Sequence, residues 1–247
     1  MRVLRKLPDV EGVTCRLVID RLCVEHRKGA SLAKRLAHSS LNPEATLVLA
    51  RDLLAALVKI HAQGCVHRDW RPSHVIESED GQWILSGYGA VWRVNLSAGN
   101  NPAAIEVVRY ASPELAGIIK HDIGPASDLY SLGLILYSAL SGRSLYDAST
   151  VSDLLLQQST LDMDGDQLPG DTPPQLVSML ERLTHKEPRE RYQSASSAFD
   201  DAEAILRMMV GGGDGVPVVI GRNEHRTELI DPSFVGRESQ LAKLQDE

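Results

Sequence analysis

Cysteine is scarce in this chain: Cys15, Cys23 and Cys65 are the only three in 247 residues. The number is odd, and none stands in the paired short spacing of a zinc site or a disulfide framework, so all three are expected to be reduced core thiols. His61, His67 and His74 do not fall at ligand spacings either, and no metal is assigned. A long apolar run is also lacking. The stretch LGLILYSAL, Leu132 to Leu140, falls far short of the roughly 20 residues that cross a bilayer. The opening MRVLRKLPDVEGVTC has no apolar core of a secretion signal. The expectation is therefore a cytoplasmic protein without a membrane partner. No basic run stands out: 26 Lys and Arg against 33 Asp and Glu give a net charge of −7, which argues against nucleic acid.

With 43% hydrophobic and 24% charged residues, the chain has the make-up of a globular protein able to bury a sizeable core. The clearest helix signal is NPEATLVLARDLLAALVKIHAQG, with Asn42 as N-cap and Pro43 at the first helical position. Its apolar residues recur at Ala50, Leu53, Leu54, Leu57 and Ile60, and it stops at Gly64. Two β-prone pieces follow, HVIES and QWILS, and Asp80-Gly81 between them predicts a two-residue hairpin. From Ser127, SDLYSLGLILYSALSG is apolar nearly all round and ends at Gly142, which predicts a helix buried on every side. Two more helices are predicted. One is TPPQLVSMLERLT, with Thr172 as cap and Pro173 at the first position; the other is SASSAFDDAEAILRMM, up to Met209. The glycine-rich composition from residue 210 to 234 predicts a linker, and residues 235–247 start a new helical pattern.

The chemistry-bearing stretch is CVHRDWRPSHVIESEDGQWILSGYGAV, Cys65 to Val91. GYGAV is no nucleotide-binding glycine loop, because it does not open a helix after a strand with the required third glycine. Taken with SPE at Ser112–Glu114, SDLYSLG from Ser127 and KEPRERYQS from Lys186, it resembles the larger, helical lobe of the eukaryotic-type serine/threonine protein kinases. The resemblance runs from about Leu17 to Met209 and implies an α+β, protein-kinase-like fold. Residues 27–209 would be the large lobe, and residues 1–26 a remnant of the small lobe with the hinge. The family's glycine-rich loop, strand lysine and helix glutamate have no counterpart in these residues.

The resemblance also assigns roles. Asp69 stands where the family has its catalytic base, and Arg71 replaces the family's lysine. His74 stands for the asparagine that is the second metal ligand, and Gly87 for the aspartate that holds magnesium. Glycine offers no ligand and imidazole suits magnesium poorly, so Asp69 and Arg71 are expected to be vestigial. Val107 falls at or near the threonine whose hydroxyl meets the base. His67, Arg68, Asp128, Glu114 and Arg191 are expected to be structural: Asp128 accepts hydrogen bonds from the catalytic-loop backbone, and Glu114 pairs with Arg191. Ser97, in the activation segment, is expected to be an exposed loop serine. The stretch IGRNEHRTELIDPSFVGRESQLAKL is similar to the junction in large signalling proteins where a kinase-like domain precedes a P-loop ATPase module and a histidine kinase, which makes residues 235–247 the start of an ATPase-like domain. The reading is thus a degenerate kinase-like (pseudokinase) module in a signalling protein, partnered by other proteins or by following domains of its own polypeptide. It would take no cofactor, whereas active relatives use ATP and magnesium. The alternative is a serine/threonine kinase domain transferring the ATP γ-phosphate to protein, with its small lobe missing from this chain.

Overall fold

The computed structural model describes residues 13–18, 21–26, 29–87, 101–211 and 218–224, the first two stretches as backbone only. Ser97, the thiols of Cys15 and Cys23, and residues 235–247 lie outside the described residues. The architecture is α+β and helix-rich, as expected.

Strands β1 (Val13–Val18) and β2 (Arg21–His26) form an antiparallel pair, with Val13 opposite His26 and Val18 opposite Arg21. A second antiparallel sheet has the order β3 (Gly29–Ser31), β4 (Val75–Ser78), β5 (Trp83–Leu85). The β4–β5 turn is one residue longer than the sequence predicts. The Ser78 N–H donates to the Gln82 carbonyl at 2.9 Å, so Glu79, Asp80 and Gly81 form a three-residue loop. A two-residue type I′ turn needs two left-handed residues, and here only Gly81, at φ 74°, is one. The sheet is fastened to the helices by Asp52, whose carboxylate accepts the Trp83 N–H at 3.0 Å.

Helix α1 (Leu32–Leu36) leads into α2 (Pro43–His61), which starts where its cap dictates: Asn42 Oδ1 accepts the Ala45 N–H at 2.8 Å. The other helices are α3 (Pro102–Tyr110), α4 (Pro125–Ser141), α5 (Val151–Thr160), α6 (Pro174–Leu183) and α7 (Ala195–Met209). α4 is buried continuously from Ser127 to Leu140, as its all-round apolar sequence requires. Leu47, Leu53, Leu54 and Leu57 of α2 belong to the same core as the apolar residues of α4, α6 and α7. α6 approaches α4 closely at Gly133, where an added Cβ would stand 2.8 Å from the Leu183 Cβ. α6 begins one residue later than its sequence suggests. Pro173 is held extended (φ −59°, ψ 136°) by the proline after it, so Pro174 is the first helical residue and the Thr172 hydroxyl is buried without a partner.

After α7 the chain returns to the helices. Val218 and Ile220 pack on the core, and the Gly221 N–H donates to Asp201 Oδ2 at 2.6 Å. Glu224 pairs with Arg182 and accepts the Gln193 N–H. Residues 218–224 are therefore docked, although composition alone suggested linker.

Candidate active site

The loop between α2 and β4 is organised around one fully buried carboxylate, that of Asp128 near the start of α4. Its Oδ2 accepts the His67 N–H at 2.7 Å and the His61 Nε2 hydrogen at 2.9 Å; its Oδ1 accepts the Arg68 N–H at 2.9 Å and the Trp70 indole N–H at 3.0 Å. Burial would raise the Asp128 carboxyl, but the His61 hydrogen bond and charge and the Arg68 N–H hold it below the ordinary aspartate range. Arg68 sits at φ 68°, a left-handed conformation a non-glycine residue avoids, and the two backbone bonds into Asp128 stabilise that geometry. His67 is buried. It donates from Nε2 to the Ser86 carbonyl at 2.9 Å and accepts the Asp69 N–H at Nδ1, 3.3 Å. That is the pattern of a neutral ring, and burial lowers its pKa accordingly.

Asp69 is 3% exposed, so it is not on an open loop edge. Arg71 Nη2 donates to Asp69 Oδ2 at 3.1 Å, and Arg71 Nε lies 3.0 Å from Oδ1, close enough for attraction although that N–H does not point at the oxygen. His74 then closes a ring of contacts. Its Nδ1 faces the Asp69 carbonyl at 2.9 Å, and its Nε2 faces Arg71 Nη2 at 2.7 Å. A carbonyl only accepts and a guanidinium only donates, so Nδ1 carries the hydrogen and Nε2 the lone pair. Gly87, at φ 78°, lies against the same imidazole: a Cβ built there would stand 2.3 Å from His74 Nδ1 and 2.6 Å from Cγ. The four expected site positions are thus brought together. The histidine fills the space that any side chain at position 87 would need.

These residues do not fit a magnesium ion. Gly87 has no oxygen to offer, both His74 nitrogens are engaged, and the Asp69 carboxylate faces a guanidinium. Among the described residues no cluster of three His, Cys, Asp or Glu side chains could hold a metal.

Sequence reasoning missed α3 and its part in the site. Glu106 on α3 accepts the Ser73 hydroxyl at 3.3 Å and lies 3.8 Å from Arg71 Nη1, which ties this helix across the loop. The signal was available: Asn101-Pro102 repeats the Asn42-Pro43 pairing, and Asn101 Oδ1 accepts the Ala104 N–H at 2.8 Å. Val107 is also in α3 and has no hydroxyl for Asp69. Beside this contact lies a cavity of about 330 Å³, lined by Pro72, Glu106, Arg109, Tyr110 and Arg143 among others.

Farther off, Glu114 and Arg191 form the expected pair, bidentate at 2.7 and 3.0 Å with both side chains at most 1% exposed. The other Arg191 donors bond the carbonyls of Ala126, His185 and Lys186, so all five are used. Burial acts to raise the Glu114 carboxyl, but the Arg191 hydrogen bonds and charge prevail and lower it.

A loop closed on a buried aspartate, braced by a bidentate ion pair, is the skeleton of a phosphotransferase lobe. Residues 17–202 match the family model described as "Protein kinase domain". The chain belongs to the protein kinase domain family. It is 27% identical over 223 residues to the serine/threonine-protein kinase PknL of Mycobacterium tuberculosis, covering 89% of this chain and 55% of that protein. It is 31% identical over 198 residues to PknA of the same organism, covering 80% of this chain and 44% of that protein. A probable serine/threonine-protein kinase of Clostridium acetobutylicum is 26% identical over 224 residues, covering 90% and 32%. The chain therefore spans about half or less of the length of these curated relatives.

Proposed function

We propose that this protein-kinase domain serves as a regulatory or interaction module, a pseudokinase, and does not transfer phosphate. The observation that carries the reading is the fit of His74 into Gly87. Phosphoryl transfer in the family relies on metal ions that bridge the phosphates and neutralise developing charge. Here one ligand position is bare backbone, and the other holds a ring whose two nitrogens are already bonded inside the protein. On this reading Asp69 remains because it is part of the loop's internal bonding, and no cofactor is needed. Partners would be other proteins or further domains of the same polypeptide, and the setting cytoplasmic. Among the described residues no helix is long and apolar enough to cross a membrane.

The alternative, a serine/threonine kinase domain acting within a longer polypeptide, is favoured by the retained Asp69 and by the names of the relatives. Calorimetric titration with ATP, with and without magnesium, separates the two. No magnesium-dependent binding is expected; a micromolar, magnesium-dependent constant would overturn the pseudokinase reading.

A further inference from the structure

We infer that the cavity bordered by α1, α3 and the end of α4 is a binding site for a phosphate monoester, of the kind a phosphorylated serine or threonine side chain carries. At about 330 Å³ it has the size of a small-ligand pocket. Its walls divide by chemistry. Ala33, Leu36 and Pro72 form an apolar side that suits an aliphatic stem, whereas Arg109, Arg143, Tyr110 and Ser144 bring hydrogen-bond donors. Several of these donors are under-used inside the protein. Arg109 Nε is buried without a hydrogen-bond partner, although Nη2 of the same residue bonds the Ala148 carbonyl. The Tyr110 hydroxyl stands 3.4 Å from both Ser138 Oγ and Ser144 Oγ, longer than an ordinary O–H···O bond, and Tyr110 is only 6% exposed. Ser138 gives its own hydrogen to the Leu134 carbonyl at 2.8 Å, so it can only accept in this group. The hydroxyl hydrogens of Tyr110 and Ser144 are thus held by long contacts alone, and a ligand oxygen in the cavity would accept them over shorter ones.

Charge points the same way. Arg143 bonds the neutral Gln167 side chain at 3.0 Å, so its positive charge is not cancelled there. Arg109 pairs with Asp147, but that carboxylate is 84% exposed and water screens it. Against the two guanidiniums stands the lining carboxylate of Glu106, itself engaged by Arg71 and the Ser73 hydroxyl. A phosphate monoester carries about −1.5 to −2 charges and three acceptor oxygens at neutral pH, which matches two guanidiniums and two hydroxyls better than a singly charged carboxylate does. The inference goes beyond the pseudokinase reading and does not depend on it, since neither His74 nor Gly87 lines the cavity.

The test uses the whole chain without magnesium or nucleotide, so its result and that of the ATP titration are independent. N-acetyl-O-phosphoserine amide, its unphosphorylated parent and inorganic phosphate are titrated separately, and backbone amide shifts are followed by NMR. The ester is expected to shift Arg109, Tyr110, Arg143 and Ser144 saturably. Inorganic phosphate should bind more weakly for want of the stem, and the parent should leave these resonances unmoved. Arg109→Gln and Arg143→Gln should each weaken ester binding about tenfold, the loss of one charge-assisted hydrogen bond. Glu106→Gln should tighten it, because the lining carboxylate repels a dianion. Should Arg109→Gln not fold, Arg143→Gln, at an exposed loop position, and the wild-type shifts decide. Ester shifts that are absent or scattered over the surface, binding of the parent or of inorganic phosphate as tight as that of the ester, or full affinity in Arg143→Gln would overturn the inference.

Discussion

Replacing Arg191 by alanine is the sharpest test of what holds this fold together. The Glu114 carboxylate would be left 1% exposed with no counter-charge, and the carbonyls of Ala126, His185 and Lys186 would each lose a donor. Breaking a buried pair by removing one partner costs about 3 to 5 kcal/mol, because the surviving charge stays buried. At roughly 2 to 4 °C per kcal/mol for a domain of this size, that is a fall in Tm of about 6 to 20 °C. Asp69→Ala should cost clearly less, since Arg71 keeps His74 and Glu106 as neighbours and can turn toward solvent. Urea unfolding followed by circular dichroism reads both variants on one scale. The double variant Glu114→Leu/Arg191→Met should recover part of the loss, as apolar replacement of a whole buried pair often does. A loss below about 1 kcal/mol in Arg191→Ala, or one equal to that of Asp69→Ala, would refute the assignment of this pair as the brace.

Acid should weaken the fold in two stages. Folding lowers the pKa of His67 from its ordinary 6.5 and of Glu114 and Asp128 from 4.5 and 3.8, so the unfolded chain binds more protons and stability falls as pH falls. The loss should begin near pH 6.5 and steepen as pH drops through the carboxylate range; urea midpoints that stay level from pH 8 to 5 would contradict the His67 part. Gly87→Ala should destabilise strongly in the wild type, through its left-handed φ and its clash with His74, and less so when His74 is also alanine. Additive losses in that double-mutant cycle would mean that the two positions do not share one space.

Much of this was legible in the sequence where one residue type has one physical use. Asn-Pro pairs announce helix starts, and an apolar run with no polar face announces the buried α4. Turn length was less legible, because Asp80-Gly81 is compatible with a left-handed residue at one position or at both, and the strand register decides. The start of α6 was misread because two successive prolines each satisfy the first-position rule, but the first is itself followed by a proline that holds it extended, so only the second can be helical. Asp69, Arg71, His74 and Gly87 could be placed by motif spacing, but their mutual contacts could not, since Arg71 can reach several acceptors and only the fold selects among them. Glu106 carried no signal as a charge alone; its role depends on α3 lying across the loop.

Retention of a residue and retention of its chemistry are separable in this loop. Trp70 donates its indole N–H to Asp128, and the His67 ring bonds the Ser86 carbonyl and the Asp69 N–H, so a change at either would leave a buried polar group short of a partner; His67 and Arg68 reach Asp128 through backbone N–H groups, which do not depend on their side chains. Packing and hydrogen bonding alone are enough to hold His67 and Trp70 in place, whatever the loop does. Asp69 belongs to the same class, for its carbonyl fixes His74 and its carboxylate fixes Arg71. Its presence is therefore weak grounds for expecting catalysis. On the proposed reading position 87 is different, because the family's aspartate there would face the metal and little of the loop's own bonding would depend on it. A change at such a position is structurally tolerable only if something occupies the vacated volume, and here the His74 imidazole lies where that side chain would begin. Residues that serve only the ligand thus say more about function than residues that serve the fold as well, and on the proposed reading it is the former that have changed.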